Sequence, residues 1–222
     1  KKVQDDNFIT QEATKYPNLL ANLAKKESGV KYRLEGYLFP ATYNVTDSIT
    51  AENLIDQMLA AMDKTMSQYY DVLASKNLTV HDVLTIASLV EKEGSTDQDR
   101  KNIASVFYNR LNQNMPLQSN IAILYAQGKL GQKTTLAEDA AIDTNIDSPY
   151  NVYKNTGLMP GPVDNPSLSA IEATVNPAKT DYLYFVANTE TGNVYFANTY
   201  EEHEKNVQEH VNSKLTQSSS SN

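Results

Sequence analysis

The chain contains no cysteine and no tryptophan among its 222 residues. Without cysteine there is no disulfide framework and no thiolate metal site. Without tryptophan, any platform for stacking on a sugar ring must come from the 14 tyrosines. Basic residues are in deficit, 19 Lys and Arg against 27 Asp and Glu, for a net charge of −8. Nucleic-acid binders need clustered positive charge against phosphate, so no nucleic-acid partner is expected. The balance suits a neutral or weakly charged ligand. No apolar run approaches the roughly 18 residues that a spanning helix requires. Lys1 opens into polar sequence (KKVQDDNFITQEA), so no signal peptide is expected and the start reads as a cut in a longer chain.

What is present is ordinary globular material, 40% apolar and 21% charged, long enough for one large domain or two small ones. From Phe8 to about Lys26 the apolar spacing is helical, with an interruption near Pro17. Tyr32 to Pro40 reads as an extended or turning segment. Thr50 caps an amphipathic helix through Leu54, Ile55, Met58, Leu59 and Met62, predicted to run to about Leu73. Thr79 and Asp82 form a capping-box pattern ahead of Val83, Leu84, Ile86, Ala87, Leu89 and Val90. That helix is apolar nearly all round, so it should be buried. Gly94 is expected to end it in a left-handed cap. A further helix is predicted from about Asp97 to Asn112, and another through Ile123 and Tyr125. Residues Ser148 to Pro166 hold four prolines and two glycines, too broken for regular structure. Ser167 caps a short helix that Pro177 stops. Tyr182 to Ala187 and Val194 to Ala197 flank a polar turn and predict a hairpin. A closing helix from Tyr200 to about Leu215 precedes a serine-rich end expected to be disordered. The fold class expected is α+β, mostly helical, with a small antiparallel sheet near the C-terminus.

Candidate chemistry begins with carboxylates. A Glu at the end of a buried apolar helix is costly unless exposed, paired or kept protonated, and a carboxyl held neutral can donate a proton. Glu91 lines up with Leu84, Ala87 and Ser88, and Glu93 with Ile86, Leu89 and Val90. Both continue an apolar stripe, and periodicity does not choose between them. An ordinary polar helix end, with Lys92 opposing the dipole, explains the same pattern. His203 and His210 lie seven apart on one face of the closing helix and read as a solvated pair, since no third ligand stands at metal-site spacing. His81, in the first turn of the buried helix, is expected at its surface. Serine-nucleophile and phosphate-loop motifs are missing. By elimination, glycosyl chemistry remains.

The loops add neutral hydrogen-bonding groups beside aromatic faces: Gln118, Ser119 and Asn120 after Met115-Pro116-Leu117, and Asn151 and Tyr153 within Tyr150-Asn151-Val152-Tyr153. Such a set suits an uncharged ligand bearing hydroxyl and acetamido groups. Turn formation alone explains the Asn, Pro and Gly equally well.

Several blocks in fixed order closely resemble the YceG-like (MltG) family of endolytic murein transglycosylases. They are Leu34-Glu35-Gly36-Tyr37-Leu38-Phe39-Pro40-Ala41-Thr42-Tyr43, Ala87-Ser88-Leu89-Val90-Glu91-Lys92-Glu93, and Ala104 to Leu111. Leu117-Gln118-Ser119, Tyr150 to Tyr153, Gly157 to Pro162, Asn176 to Lys179 and Tyr182 to Val186 follow. The resemblance runs from about Tyr32 to His210. It implies a peptidoglycan lytic transglycosylase that cleaves the bond between N-acetylmuramic acid and N-acetylglucosamine and leaves 1,6-anhydro ends. It makes Glu91, first in Val-Glu-Lys-Glu, the single catalytic acid and base, and it implies no metal or organic cofactor. It also implies an N-terminal membrane anchor and a LysM-like subdomain outside this sequence, action on the extracytoplasmic face of a bacterial membrane, and cell-wall synthesis proteins as partners. Residues 1–31 are then a helical lead-in, 32–215 the catalytic domain and 216–222 a tail. One departure stands out: many members carry Asp where this chain has Asn120. Two other readings remain open. A water-using muramidase would need a second carboxylate from Glu35, Glu93 or Asp164, and a non-catalytic glycan-binding domain would need none.

Overall fold

Residues 2–132, 141–188 and 191–212 are described by the computed structural model. The first helix, α1 (Asp6–Lys15), is capped by Asp5, whose carboxylate accepts from Phe8 N–H. It stops at Lys15 rather than continuing towards Lys26. The residue before a proline is driven out of the helical region, and Tyr16, before Pro17, has φ −118° and ψ 61°. Turns carry the chain from there to a short 3-10 turn at Lys26–Ser28.

Helix α2 (Ala51–Met66) has Thr50 as its cap. It ends seven residues short of Leu73, because a turn from Met66 to Tyr69 separates it from α3 (Tyr70–Ser75). The break lets Met66, Tyr69 and Leu73 all reach the same core.

Helix α4 (Val80–Glu93) opens on the full capping box, with Thr79 and Asp82 each serving the other's backbone. Eight successive positions from Val83 to Val90, together with Val80, are buried. The reason it is apolar all round is that it has core on two sides. Val80, Val83, Leu84 and Ala87 join one cluster with residues of α1, α2 and α3. Ile86, Leu89 and Val90 join a second with Ile103, Ala104, Phe107, Ala122 and Tyr125.

Gly94 does not take the left-handed cap. Its φ of −103° and ψ of 127° are extended, and glycine is required there for a steric reason given below. Helix α5 (Asp97–Asn112) follows, capped by Thr96, then α6 (Asn120–Ala126) and α7 (Leu168–Val175), whose cap is Ser167. Helix α4 packs against both α5 and α7.

Strands β1 (Tyr184–Ala187) and β2 (Val194–Ala197) pair antiparallel, Tyr184 opposite Ala197 and Ala187 opposite Val194. Helix α8 (Tyr200–Val207) begins with a Thr199–Glu202 capping box and passes into a wider turn at Gln208–Asn212. The fold class is therefore α+β, with helices predominating and the hairpin near the C-terminus. The serine-rich end at 216–222 and the last residues of the expected closing helix lie outside the described residues. No helix among those described is long and apolar enough to cross a membrane.

Candidate active site

The turns between Gly157 and Ser167 run along α4 and fasten to it repeatedly. His81 bonds the Pro160 carbonyl through Nε2 at 2.9 Å, and its Nδ1 lies 2.9 Å from the Tyr37 hydroxyl. It is clamped between two segments, not free at the helix surface. Further along, Val163 N–H donates to Ser88 Oγ at 3.0 Å, and Lys92 pairs with Asp164 at 2.7 Å. The Asn165 side-chain carbonyl accepts from Gly36 and Leu38 N–H, which draws the Leu34–Tyr43 block to the same place.

Glu91 is where this loop meets the helix end. Ser167 donates to Glu91 Oε2 twice, from its backbone N–H at 3.1 Å and its hydroxyl at 2.5 Å. On the other oxygen, Arg100 Nη2 stands 3.9 Å from Oε1. The Glu91 side chain retains 23% of its surface open to solvent. Its Oε2 is thus fixed by two hydrogen bonds, its Oε1 faces a guanidinium, and the group is still reachable, a requirement for one that must exchange protons with a ligand.

Glu93 has a different setting. Ser119 Oγ donates to Glu93 Oε1 at 2.8 Å. Tyr153, whose hydroxyl donates to Asn120 Oδ1 at 2.6 Å, lies near Glu93, and its phenol is pushed up to about 12 by burial and then by that carboxylate. Gln118 N–H donates to the Val152 carbonyl at 3.0 Å. The two loops singled out in the sequence therefore converge, and Ser119 ties the first of them to Glu93.

Within that convergence the side chains differ in use. Gln118 adopts a positive φ of 56°, and its Oε1 accepts from Arg110 Nη1 at 2.8 Å. Arg110 is buried and also holds the Pro116 and Leu183 carbonyls at 2.8 and 2.6 Å. Burial depresses the guanidinium below its ordinary range. Asn151 is buried too, donating to the Thr144 and Ile146 carbonyls and accepting from Tyr153 N–H, as a turn-forming amide does. Ser119 bonds Glu93, and Tyr153 is close enough to feel that charge while it donates to Asn120.

A second carboxyl pair lies beside the Lys92–Asp164 contact. Tyr125 donates its hydroxyl to Glu35 Oε2 at 2.7 Å, and Lys31 bonds the Tyr125 and Ala126 carbonyls. Burial holds the Glu35 carboxyl above the usual range, against the Tyr125 hydrogen bond, while the Asp164 charge adds to the rise and Lys31 opposes it.

The histidines of the last helix are not a solvated pair. His203 stacks on Tyr184 at 5.4 Å and His210 on Tyr195 at 3.6 Å, so both rings pack on the hairpin. Among the described residues no group of three or more His, Asp or Glu is placed to hold a metal ion.

The YceG-like family model matches residues 2–209. The chain belongs to the YceG-like family. It is 69% identical over 214 residues to a protein of Streptococcus pneumoniae serotype 2 (strain D39 / NCTC 7466) named endolytic murein transglycosylase, covering 96% of this chain and 39% of that one. It is 42% identical to a protein of the same name from Bacillus subtilis (strain 168), covering 96% of this chain and 58% of that one. A crystal structure at 2.6 Å of a yceG-like protein from Listeria monocytogenes superposes with a TM-score of 0.81 at 45% identity, over 92% of this chain and 65% of that one. The chain thus spans between about two fifths and three fifths of these curated relatives' lengths.

Two partners of Glu91 in this YceG-like chain escaped the sequence reading. Ser167 was legible only as a helix cap, and nothing in its spacing links it to a carboxylate 76 residues away. Arg100 reads as one more polar residue of α5.

Proposed function

We propose that this chain is the catalytic region of a peptidoglycan lytic transglycosylase, residues 32–215 forming the catalytic domain behind a lead-in of 1–31. The observation that carries the reading is Glu91 itself: a carboxylate at the end of a buried helix, fixed through Oε2 by Ser167, facing Arg100 on the Oε1 side, and still open to solvent. The names and identities of the relatives support it.

Glu91, protonated, gives its proton to the oxygen between N-acetylmuramic acid and N-acetylglucosamine as the C1–O bond breaks. The resulting carboxylate takes the proton of the muramyl C6 hydroxyl as that oxygen bonds to C1. The enzyme ends as it began, no water is consumed, and the product carries a 1,6-anhydro end. One carboxylate suffices because the nucleophile is already tethered, an advantage worth several kcal/mol in well-oriented cases, about 7 or more. Asn120, in place of Asp, is compatible with that economy. Action on the extracytoplasmic face of the membrane, an anchor outside this sequence and partners in wall synthesis belong to the same proposal.

A hydrolytic muramidase is the second reading, and one observation favours it. Asp164 is held by Lys92 on the loop that supplies Ser167 to Glu91, with Glu35 close enough to feel its charge. A carboxylate there would position a water.

Glu91→Gln tests the assignment of the acid. The amide is nearly isosteric and has no acidic proton, so glycan cleavage should vanish while thermal unfolding is retained. Glu93→Gln should be much milder. Full cleavage by Glu91→Gln, or a reversal of the two results, overturns the assignment.

A further inference from the structure

Gly94 lies in extended backbone that any residue adopts. What demands glycine is space. A Cβ built on Gly94 falls 2.6 Å from Arg100 Cγ and 3.1 Å from the Arg100 Cα and N. The missing side chain lets the first turn of α5 close onto the end of α4, and Arg100 reaches back across the gap. Its guanidinium stands 3.9 Å from Glu91 Oε1, 3.3 Å from Ser169 Oγ and 3.7 Å from Asp97 Oδ1. Ser169 in turn donates to Asp97 at 2.5 Å. The Arg100 side chain is 18% exposed, so its charge is poorly screened.

We propose that Arg100 is a positioning residue for Glu91 and that Gly94 exists to admit it. The role rests on Glu91 being the proton donor. When Glu91 hands its proton to the glycosidic oxygen, a full negative charge appears on a carboxylate whose Oε2 is already fixed by Ser167. The guanidinium on the Oε1 side stabilises that charge as it forms and gives up the advantage when the proton returns from the C6 hydroxyl. Arg100 itself neither gains nor loses a proton. An interaction that strengthens during the step acts on kcat rather than on ground-state binding. The planar fork also explains why arginine stands here, since one group serves Glu91, Ser169 and Asp97 together.

The test is steady-state cleavage of purified glycan strands by wild type, Arg100→Met, Arg100→Lys, Arg100→Ala, Gly94→Ala and the Gly94→Ala/Arg100→Ala double variant, with Glu91→Gln run beside them. Arg100→Met keeps the packing stem and removes the charge, so kcat should fall by about tenfold to a hundredfold, with KM nearly unchanged. Arg100→Lys should recover part of the loss. Gly94→Ala should lower kcat by displacing Arg100, and adding it to Arg100→Ala should cost little more, a non-additivity expected of residues that act through one contact. Wild-type kcat in Arg100→Met, or losses from Gly94→Ala and Arg100→Ala that simply multiply, would overturn the proposal. Should Arg100→Ala fail to fold, the Met and Lys pair still decides. Cleavage by Glu91→Gln would instead remove the acid assignment, whatever Arg100 does.

Discussion

Ser119 donates its hydroxyl to Glu93 at 2.8 Å, joining two residues 26 apart in the chain and closing the Gln118–Asn120 turn over the end of α4. Ser119 is buried, so its hydroxyl has no ready substitute partner in solvent. Ser119→Ala should lower the free energy of unfolding by about 1.5–3 kcal/mol, the range for a hydrogen bond to a charged group. Glu93→Gln keeps an acceptor and should cost less. Urea unfolding of both variants measures this, and equal stability of Ser119→Ala and wild type would mean the bond contributes nothing net.

Gly36 carries the alignment of the Leu34–Tyr43 block. Its φ is +84°, and a Cβ there would lie 2.4 Å from two carbons of the Pro162 ring. Both the left-handed backbone and the close approach exclude a side chain. Gly36→Ala should destabilise by about 2–4 kcal/mol through strain and overpacking. It should also weaken cleavage, because Asn165 holds both Gly36 and Leu38 on the loop that leads to Ser167. A variant with wild-type melting temperature would show that the loop yields without cost.

The elements were legible where local chemistry decides them. The Thr79–Asp82 and Thr50 caps, the helix from Asp97 to Asn112 and the hairpin all stand where residue pattern places them. The errors fall where a distant partner decides. Gly94 looks like a left-handed cap until Arg100 is seen against it, and His81 looks exposed until Tyr37 and Pro160 close around it. The amides of Gln118 and Asn151 bond Arg110 and two backbone carbonyls, contacts that their local sequence does not announce. Periodicity left Glu91 and Glu93 equivalent. Their difference lies in tertiary partners, Ser167 and Arg100 for one and Ser119 for the other, and no spacing rule encodes those.

His203 gives stability a pH dependence. Burial holds its imidazole below the ordinary value of 6.5, and Arg110 pushes the same way while Glu204 opposes. The unfolded chain therefore binds a proton more readily than the folded one. Stability from the neutral ring is complete above about pH 6.5 and falls as the pH drops through the interval beneath it. His203→Phe keeps a ring against Tyr184 and removes the titration. Between about pH 7.5 and about pH 5.5, wild type should lose more melting temperature than the variant, and parallel losses would contradict this assignment.

The most direct measurement is the mass of the fragments released from purified, uncrosslinked glycan strands. Lytic cleavage driven by Glu91 leaves 1,6-anhydromuramyl ends, each lighter by one water than a hydrolytic product, and Glu91→Gln should release neither. Fragments bearing a full reducing end would contradict the lytic reading and favour water positioned at a second carboxylate such as Asp164. Intact strands after incubation with the folded wild-type chain would contradict catalysis by this region altogether.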